Sequence, residues 1–170
     1  IRSWHDRRRF PWVSEDWEPE EADRKAAILA TTALLAMRRL ETMRRNDGKS
    51  LQERLVSEQL RSAGFTLAKR RTVSSLSRAP GPGEFCEESK LGTRKADFLV
   101  RLWDERVMPI ECKVSNSNTN SIKRLNNDAA VKAVSWRKDF GESQVVPAAV
   151  LGGCYNLNNL KEAQQRGLAI

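Results

Sequence analysis

A chain of 170 residues that is 39% hydrophobic and 31% charged has the size and composition of one folded domain, or of one domain plus a helical appendage. Lysine and arginine outnumber aspartate and glutamate by 30 to 22, and the resulting +8 is dispersed in clusters such as Arg7-Arg8-Arg9, Lys69-Arg70-Arg71 and Lys123-Arg124; that field suits a polyanion, nucleic acid first, although solvated helix faces give the same count. His5 is the only histidine and lies in the terminal arginine-rich segment, which argues against Ser-His-Asp hydrolases, histidine-metal nucleases and zinc proteases and leaves carboxylates, lysine and a hard metal ion for any hydrolytic chemistry.

Two further exclusions narrow the class. The longest apolar run, Ala26 to Met37, is too short and alanine-rich to cross a bilayer, so no membrane partner is expected. Cys86, Cys112 and Cys154 are odd in number and far apart, suggesting neither a disulfide framework nor a zinc knuckle and pointing to a reducing cytoplasm.

Along the chain, residues 1–18 place Trp4, Phe10, Trp12 and Trp17 among charges, the pattern of an irregular arm whose tryptophans pack rather than stack on bases. Pro19-Glu20-Glu21 opens a helix, with proline in the first turn and acids at the positive end of the dipole. Leu29, Ala33, Ala36, Leu40 and Met43 carry it to about Arg45, where Asn46-Asp47-Gly48 is expected to end it. Ser50 then caps a second helix, with Glu53 three residues on as its capping-box partner and Gly64 as its close. Residues 1–48 thus form an arm and helix packing on a core at 49–170.

Phe65 to Val73 is expected to be a strand and 74–95, rich in serine, proline and glycine, a long functional or disordered loop. Two strands at about 96–103 and 107–114 follow, joined by a turn at Asp104-Glu105. A polar stretch passes into a helix at about 121–138; Gln144 to Leu151 forms a buried strand ended by Gly152-Gly153, and Leu157 to Gly167 a last helix. The chain starts at Ile1 and reaches Ile170 without a stop signal, so a longer native protein is expected.

The chemistry concentrates on the two central strands. A two-residue turn at Asp104-Glu105 sets Asp97 opposite Cys112, between Glu111 and Lys113; a one-residue change of register sets it opposite Glu111 or Lys113. Side chains alternate along a strand, so Glu111, Lys113 and Ser115 share a face. Carboxylates converging at a strand end can share Mg²⁺, which takes oxygen ligands, while lysine positions a water or offsets charge on a phosphate. Glu53 is the natural extra carboxylate. The competing interpretation is an ordinary charged strand face: acid-x-lysine recurs at Glu88-Ser89-Lys90, Asp23-Arg24-Lys25 and Asp47-Gly48-Lys49. Only Glu111-Cys112-Lys113 has an apolar lead-in and an aspartate at hairpin distance. Arg94 and Lys95 before Asp97, and Ser115, Asn116, Asn120, Lys123, Arg124 and Asn127 after the motif, are the candidate DNA contacts, amides for base edges and cations for backbone. A helix-capping loop would look the same.

The order of parts (a helix with Glu53, a strand with Asp97, a strand with Glu111-x-Lys113, helix, strand) resembles the PD-(D/E)XK nuclease superfamily over about 50–155. Ala96 stands where the superfamily's name carries proline, a position without chemical duty. Ile110-Glu111-Cys112-Lys113-Val114-Ser115-Asn116-Ser117, Lys123-Arg124-Leu125-Asn126-Asn127-Asp128 and Gln144 to Leu151 are similar to XamI-type restriction endonucleases. The resemblance implies a mixed α/β sheet of about four strands flanked by helices, with a helical N-terminal segment. It also implies Mg²⁺-dependent cleavage of double-stranded DNA, Mn²⁺ able to substitute, by a homodimer. Asp97, Glu111 and Lys113 would be the signature residues, and Asp97, Glu111 and Glu53 the metal ligands. A repair or junction nuclease of the same fold, or an inactive DNA-binding module, are the alternatives.

Overall fold

The structure, a computed structural model, describes residues 10, 12, 17–115 and 118–170. Trp4, His5 and Asn116 lie outside the described residues, as does the side chain of Asn120. By its internal contacts the chain divides into Ile1–Asn46 and Asp47–Ile170. Among the described residues no helix is long and apolar enough to cross a membrane.

In the first unit Phe10, Trp12 and Trp17 meet edge-on, each successive pair of rings 5.8 Å apart, an arrangement aromatic quadrupoles favour. Helix α1, Glu21–Ser62, starts here with Glu21 and Asp23 in its first turn. Ile28, Leu29, Leu35, Met37, Leu40 and Met43 are exposed along it.

The expected break at Asn46-Asp47-Gly48 does not occur: α1 is one helix of 42 residues. A mid-helix glycine costs about 1 kcal/mol relative to alanine, which the packing of Leu60 and Val56 and the Lys49–Glu53 i,i+4 ion pair can offset. Ser50 is therefore interior, and Glu53 is not a capping-box residue.

The second unit holds a five-stranded mixed sheet, one strand more than expected. Its strands, in spatial order, are β1 Thr66–Leu67, β3 Glu84–Glu87, β6 Phe98–Arg101, β7 Val107–Ser115 and β8 Ala148–Gly153. The three central strands are antiparallel; β1 joins β3 and β8 joins β7 in parallel. A second sheet consists of β2 Thr72–Val73, β4 Lys90–Leu91 and β5 Arg94–Lys95, in that order. The expected strand from Phe65 to Val73 is thus split between two sheets. The expected loop at 74–95 supplies β3, whose Phe85 and Cys86 are fully buried.

Phe98 pairs with Ile110 and Arg101 with Val107. The turn is one residue longer than the two-residue version: Leu102 N–H donates to the Arg106 carbonyl, enclosing Trp103, Asp104 and Glu105, and Glu105 takes the left-handed φ of +67° that such three-residue loops require. After β7 the chain turns back through α2 Asn118–Arg124, a π-helical turn Leu125–Ala129 and α3 Ala130–Phe140. β8 starts later than expected because Pro147 has no N–H for the ladder, leaving Val145 a single bridge to Val107. It runs through Gly152-Gly153 rather than stopping there. Gly153, at φ +95°, sits so close to the Ser115 carbonyl that a Cβ would collide. Helix α4, Leu157–Gln165, closes the fold.

Leu60 of α1 packs with Phe65, Phe85, Phe98, Ile110 and Cys112 on one face of the sheet. The other face carries Leu125, Ala129 and Ala133 against Ala149, and Trp136 against Leu99, Val107, Val73 and Leu91. Trp136 is fully buried and its indole N–H donates to the Leu91 carbonyl at 3.0 Å, tying α3 to the small sheet. Trp136→Ala is expected to lower unfolding free energy by about 3–5 kcal/mol, measured by denaturant titration, whereas a loss under about 1 kcal/mol would mean the small sheet is held by other contacts.

Candidate active site

β6 begins at Phe98 while β7 continues past its partner Ile110 to Ser115, so the N–H of Cys112 has no strand partner on that side. Asp97 supplies one: its Oδ2 accepts that N–H at 2.7 Å. Continuing the ladder by one step sets Asp97 opposite Glu111, one of the registers left open by the sequence, and its side chain reaches on to the gap between Glu111 and Lys113. Its Oδ1 accepts from Lys49 Nζ at 3.2 Å, and the same ammonium lies 3.0 Å from Glu53 Oε1. Burial disfavours the Lys49 charge, but Glu53 and Asp97 hold its pKa above the usual lysine value.

Glu111 and Lys113 face the opposite way from Ile110 and Cys112, towards α3. Glu111 is 1% exposed. Lys132 of α3 donates to its two oxygens at 2.9 and 2.8 Å, and Lys113 Nζ lies 2.6 Å from Oε2. Lys113 also reaches Asp128 Oδ2 at 2.7 Å, and Asp128 sits 3.6 Å from Lys132, one helical turn away. The result is a closed ring of two acids and two lysines. Burial raises the Glu111 pKa, opposed by both lysines. Burial also works against the Lys113 ammonium, but Glu111 and Asp128 outweigh it and hold its pKa above the ordinary lysine value. Burial and neighbouring Asp97 push the Cys112 thiol up to about 12, which removes it as a nucleophile at neutral pH.

The three expected signature residues and the accessory Glu53 therefore stand about residues 111–113 of β7 as two pairs, Asp97 with Glu53 through Lys49 and Glu111 with Lys113. Among the described residues no three carboxylate, histidine or cysteine side chains stand close enough to hold one metal ion. Strand alternation is the cause: α1 covers one face and α3 the other. A pocket of about 370 Å³ opens beside Asp97 and Glu53, with Glu87 and Glu88 in its wall. Ser57 donates to Glu87 at 2.8 Å.

The candidate DNA contacts are scattered. Arg94 and Lys95 are exposed on β5, and Lys123 and Asn127 are exposed on the helical return. Ser115 is buried, and the Arg124 guanidinium donates to the Val114 carbonyl, so both serve the end of β7 rather than the surface. Lys49, Glu87, Asp128 and Lys132 were not singled out from the sequence. The i,i+4 spacings Lys49–Glu53 and Asp128–Lys132 were the available signals for three of them; Glu87 was hidden with β3.

The family model described as XamI restriction endonuclease matches residues 1–170. The chain is 53% identical over 146 residues, 86% of its length, to the type II restriction enzyme XamI of Xanthomonas campestris pv. amaranthicola. Those residues cover 53% of that enzyme, so the chain spans about half the length of the curated relative it matches.

The charge ring has its own consequence for stability. Lys132→Met removes two charged hydrogen bonds from a carboxylate that stays buried, an expected loss of about 1.5–3 kcal/mol. Glu111→Gln in the same chain should recover part of it in a double-mutant cycle. Strict additivity of the two substitutions in denaturant unfolding would show that the ring carries no coupling.

Proposed function

The chain belongs to the XamI restriction endonuclease family, and on that premise we propose that it hydrolyses phosphodiester bonds of double-stranded DNA as a Mg²⁺-dependent, sequence-specific endonuclease. Residues 49–170 are the nuclease core and 1–48 an appended arm and helix. A homodimer is the assembly we propose, one site for each DNA strand, and the cytoplasm its place of action.

One contact carries the mechanistic reading: the Asp97 carboxylate on the Cys112 N–H, fixed between Glu111 and Lys113. The donor chemistry fits Mg²⁺, because carboxylate oxygens of Asp97 and Glu53 already flank one cation, the Lys49 ammonium, and such hard oxygens are what Mg²⁺ takes. Asp97 and Glu53 would hold the ion; Glu111, turned towards α3 and paired with Lys113 and Lys132, is not placed with them. A bound divalent ion polarises a scissile phosphate and acidifies an attacking water. Lys49 offsets part of the Asp97–Glu53 charge when no ion is there.

Lys113 acts by charge. Glu111 and Asp128 keep it protonated, so it offsets negative charge growing on the phosphate rather than taking a proton from water. Lys132 shares the Glu111 carboxylate, opposes the rise that burial imposes on its pKa and keeps it aligned. Lys123 and Asn127, exposed beyond the motif, are placed to meet the duplex.

Incubation of the full chain with varied plasmid DNA and Mg²⁺ or Mn²⁺ should yield discrete bands. Asp97→Asn and Lys113→Ala should each slow cutting by about 100-fold or more while duplex binding survives. Salt-sensitive binding without cutting in either metal would point to an inactive module, and preference for branched substrates to a repair role. Wild-type cleavage by both variants would falsify the assigned site.

A further inference from the structure

The small sheet β2-β4-β5 has two unlike faces. Val73 and Leu91 are fully buried against Trp136. Thr72, Lys90 and Lys95 point the other way and are exposed. Lys90 pairs with Thr72 on β2 and with Lys95 on β5, so the three stand in a row across the sheet. Arg70 and Arg71, leading into β2, complete a pocket of about 390 Å³ whose only acid is Glu88.

Four cations thus line one concavity, and Glu88 is engaged by Arg70 at 3.0 Å. Among the described residues, Arg71, Lys90 and Lys95 form no ion pair. Like charges directly opposite across an antiparallel pair destabilise a sheet. The Lys90–Lys95 pair does nothing for the core beneath it, whose contacts are made by Val73 and Leu91. A cluster that raises the energy of the free protein is relieved by an anion, and the concavity gives that anion a place to sit.

Position selects the anion. Glu88 is shared by this pocket and by the acidic pocket that holds Asp97 and Glu53. Glu88 N–H donates to the Asp97 carbonyl at 2.7 Å, so the wall between the two pockets is fixed to the candidate site itself. A phosphodiester chain entering the acidic pocket lays its neighbouring phosphates alongside.

We propose that the outer face of β2-β4-β5 is a phosphate-binding subsite for the DNA backbone, with Arg70, Arg71, Lys90 and Lys95 holding a phosphate that flanks the scissile one. This rests on the nuclease reading and adds to it the surface that docks the strand beside the cut. Arg94, paired with Leu91 on the same sheet, is outside the pocket.

The test is duplex binding by the full chain in EDTA, without metal, over a range of NaCl, comparing wild type with Lys90→Gln/Lys95→Gln. Both lysines are exposed, so folding is preserved, which circular dichroism checks. The variant should bind about tenfold more weakly near 0.1 M salt, and its slope of log affinity against log salt should fall by about one, roughly 0.9 for the one phosphate no longer neutralised. Lys138→Gln/Lys161→Gln, which removes the same charge from exposed positions elsewhere, should leave the slope unchanged. An unchanged Lys90/Lys95 variant, or an equal fall in the control pair, overturns the subsite while leaving the nuclease reading intact. Wild type that fails to bind duplex at any salt overturns both.

Discussion

Glu111 is a carboxylate almost wholly withdrawn from water, and the second unit is arranged around that fact. An ionised acid in such a position costs several kcal/mol unless cations and hydrogen bonds replace its hydration. Lys113, two residues along the same strand, supplies one cation, but a second has to arrive from another element. It comes as Lys132 on α3, which fixes where the helical return must lie over β7. Asp128, one turn earlier, balances the two lysines. The π-helical turn Leu125–Ala129 contains Asp128, and such turns are frequent at functional sites.

Period-two alternation along β7 then divides the labour. Ile110 and Cys112 face α1 and build core; Glu111 and Lys113 face α3 and carry charge. Asp97 belongs to neither face. It occupies the edge that β6 leaves vacant and takes a backbone N–H that would otherwise be unpaired beside buried Cys112. One side chain thereby satisfies the strand and presents its second oxygen to Lys49. A structural duty and the proposed chemical one coincide at Asp97, so a substitution there is expected to affect both.

Much of this was legible in the residues. The hairpin carrying Asp97 and Glu111-Cys112-Lys113, the helix after it and the final helix all follow from apolar runs bounded by turn residues. The register was legible only to within one residue, because the three-residue loop with Glu105 at positive φ has no glycine to announce it. β3 was invisible: its two core residues, Phe85 and Cys86, sit between acids and a Pro-Gly cluster, and a four-residue strand gains its stability from neighbours on both sides. Asn46-Asp47-Gly48 looked like a stop because local propensity favours one there, yet packing and ion pairing after it carry the helix through. Lys132 was unreadable for a different reason. Its role depends on a contact 21 residues away in sequence, set by how the return crosses the sheet.

The chain's +8 also takes on meaning only in three dimensions. The pocket beside Asp97 has Glu53, Glu87 and Glu88 in its wall, and an arriving phosphate is repelled by each. At a separation of roughly 7 Å and an effective dielectric of about 20, each such pair costs about 2 kcal/mol. Lys49, already shared between two acids, offsets only part of that. Docking a polyanion here therefore takes cations close by, and the proposed cutting takes a multivalent ion that reduces the negative charge at the centre. The first condition is met by the basic pocket on the other side of Glu88, in a strip too narrow and too local for net charge to reveal. Under the proposed chemistry the second accounts for an acidic pocket in a basic protein, because carboxylates that repel DNA on their own are the groups that would hold a divalent cation.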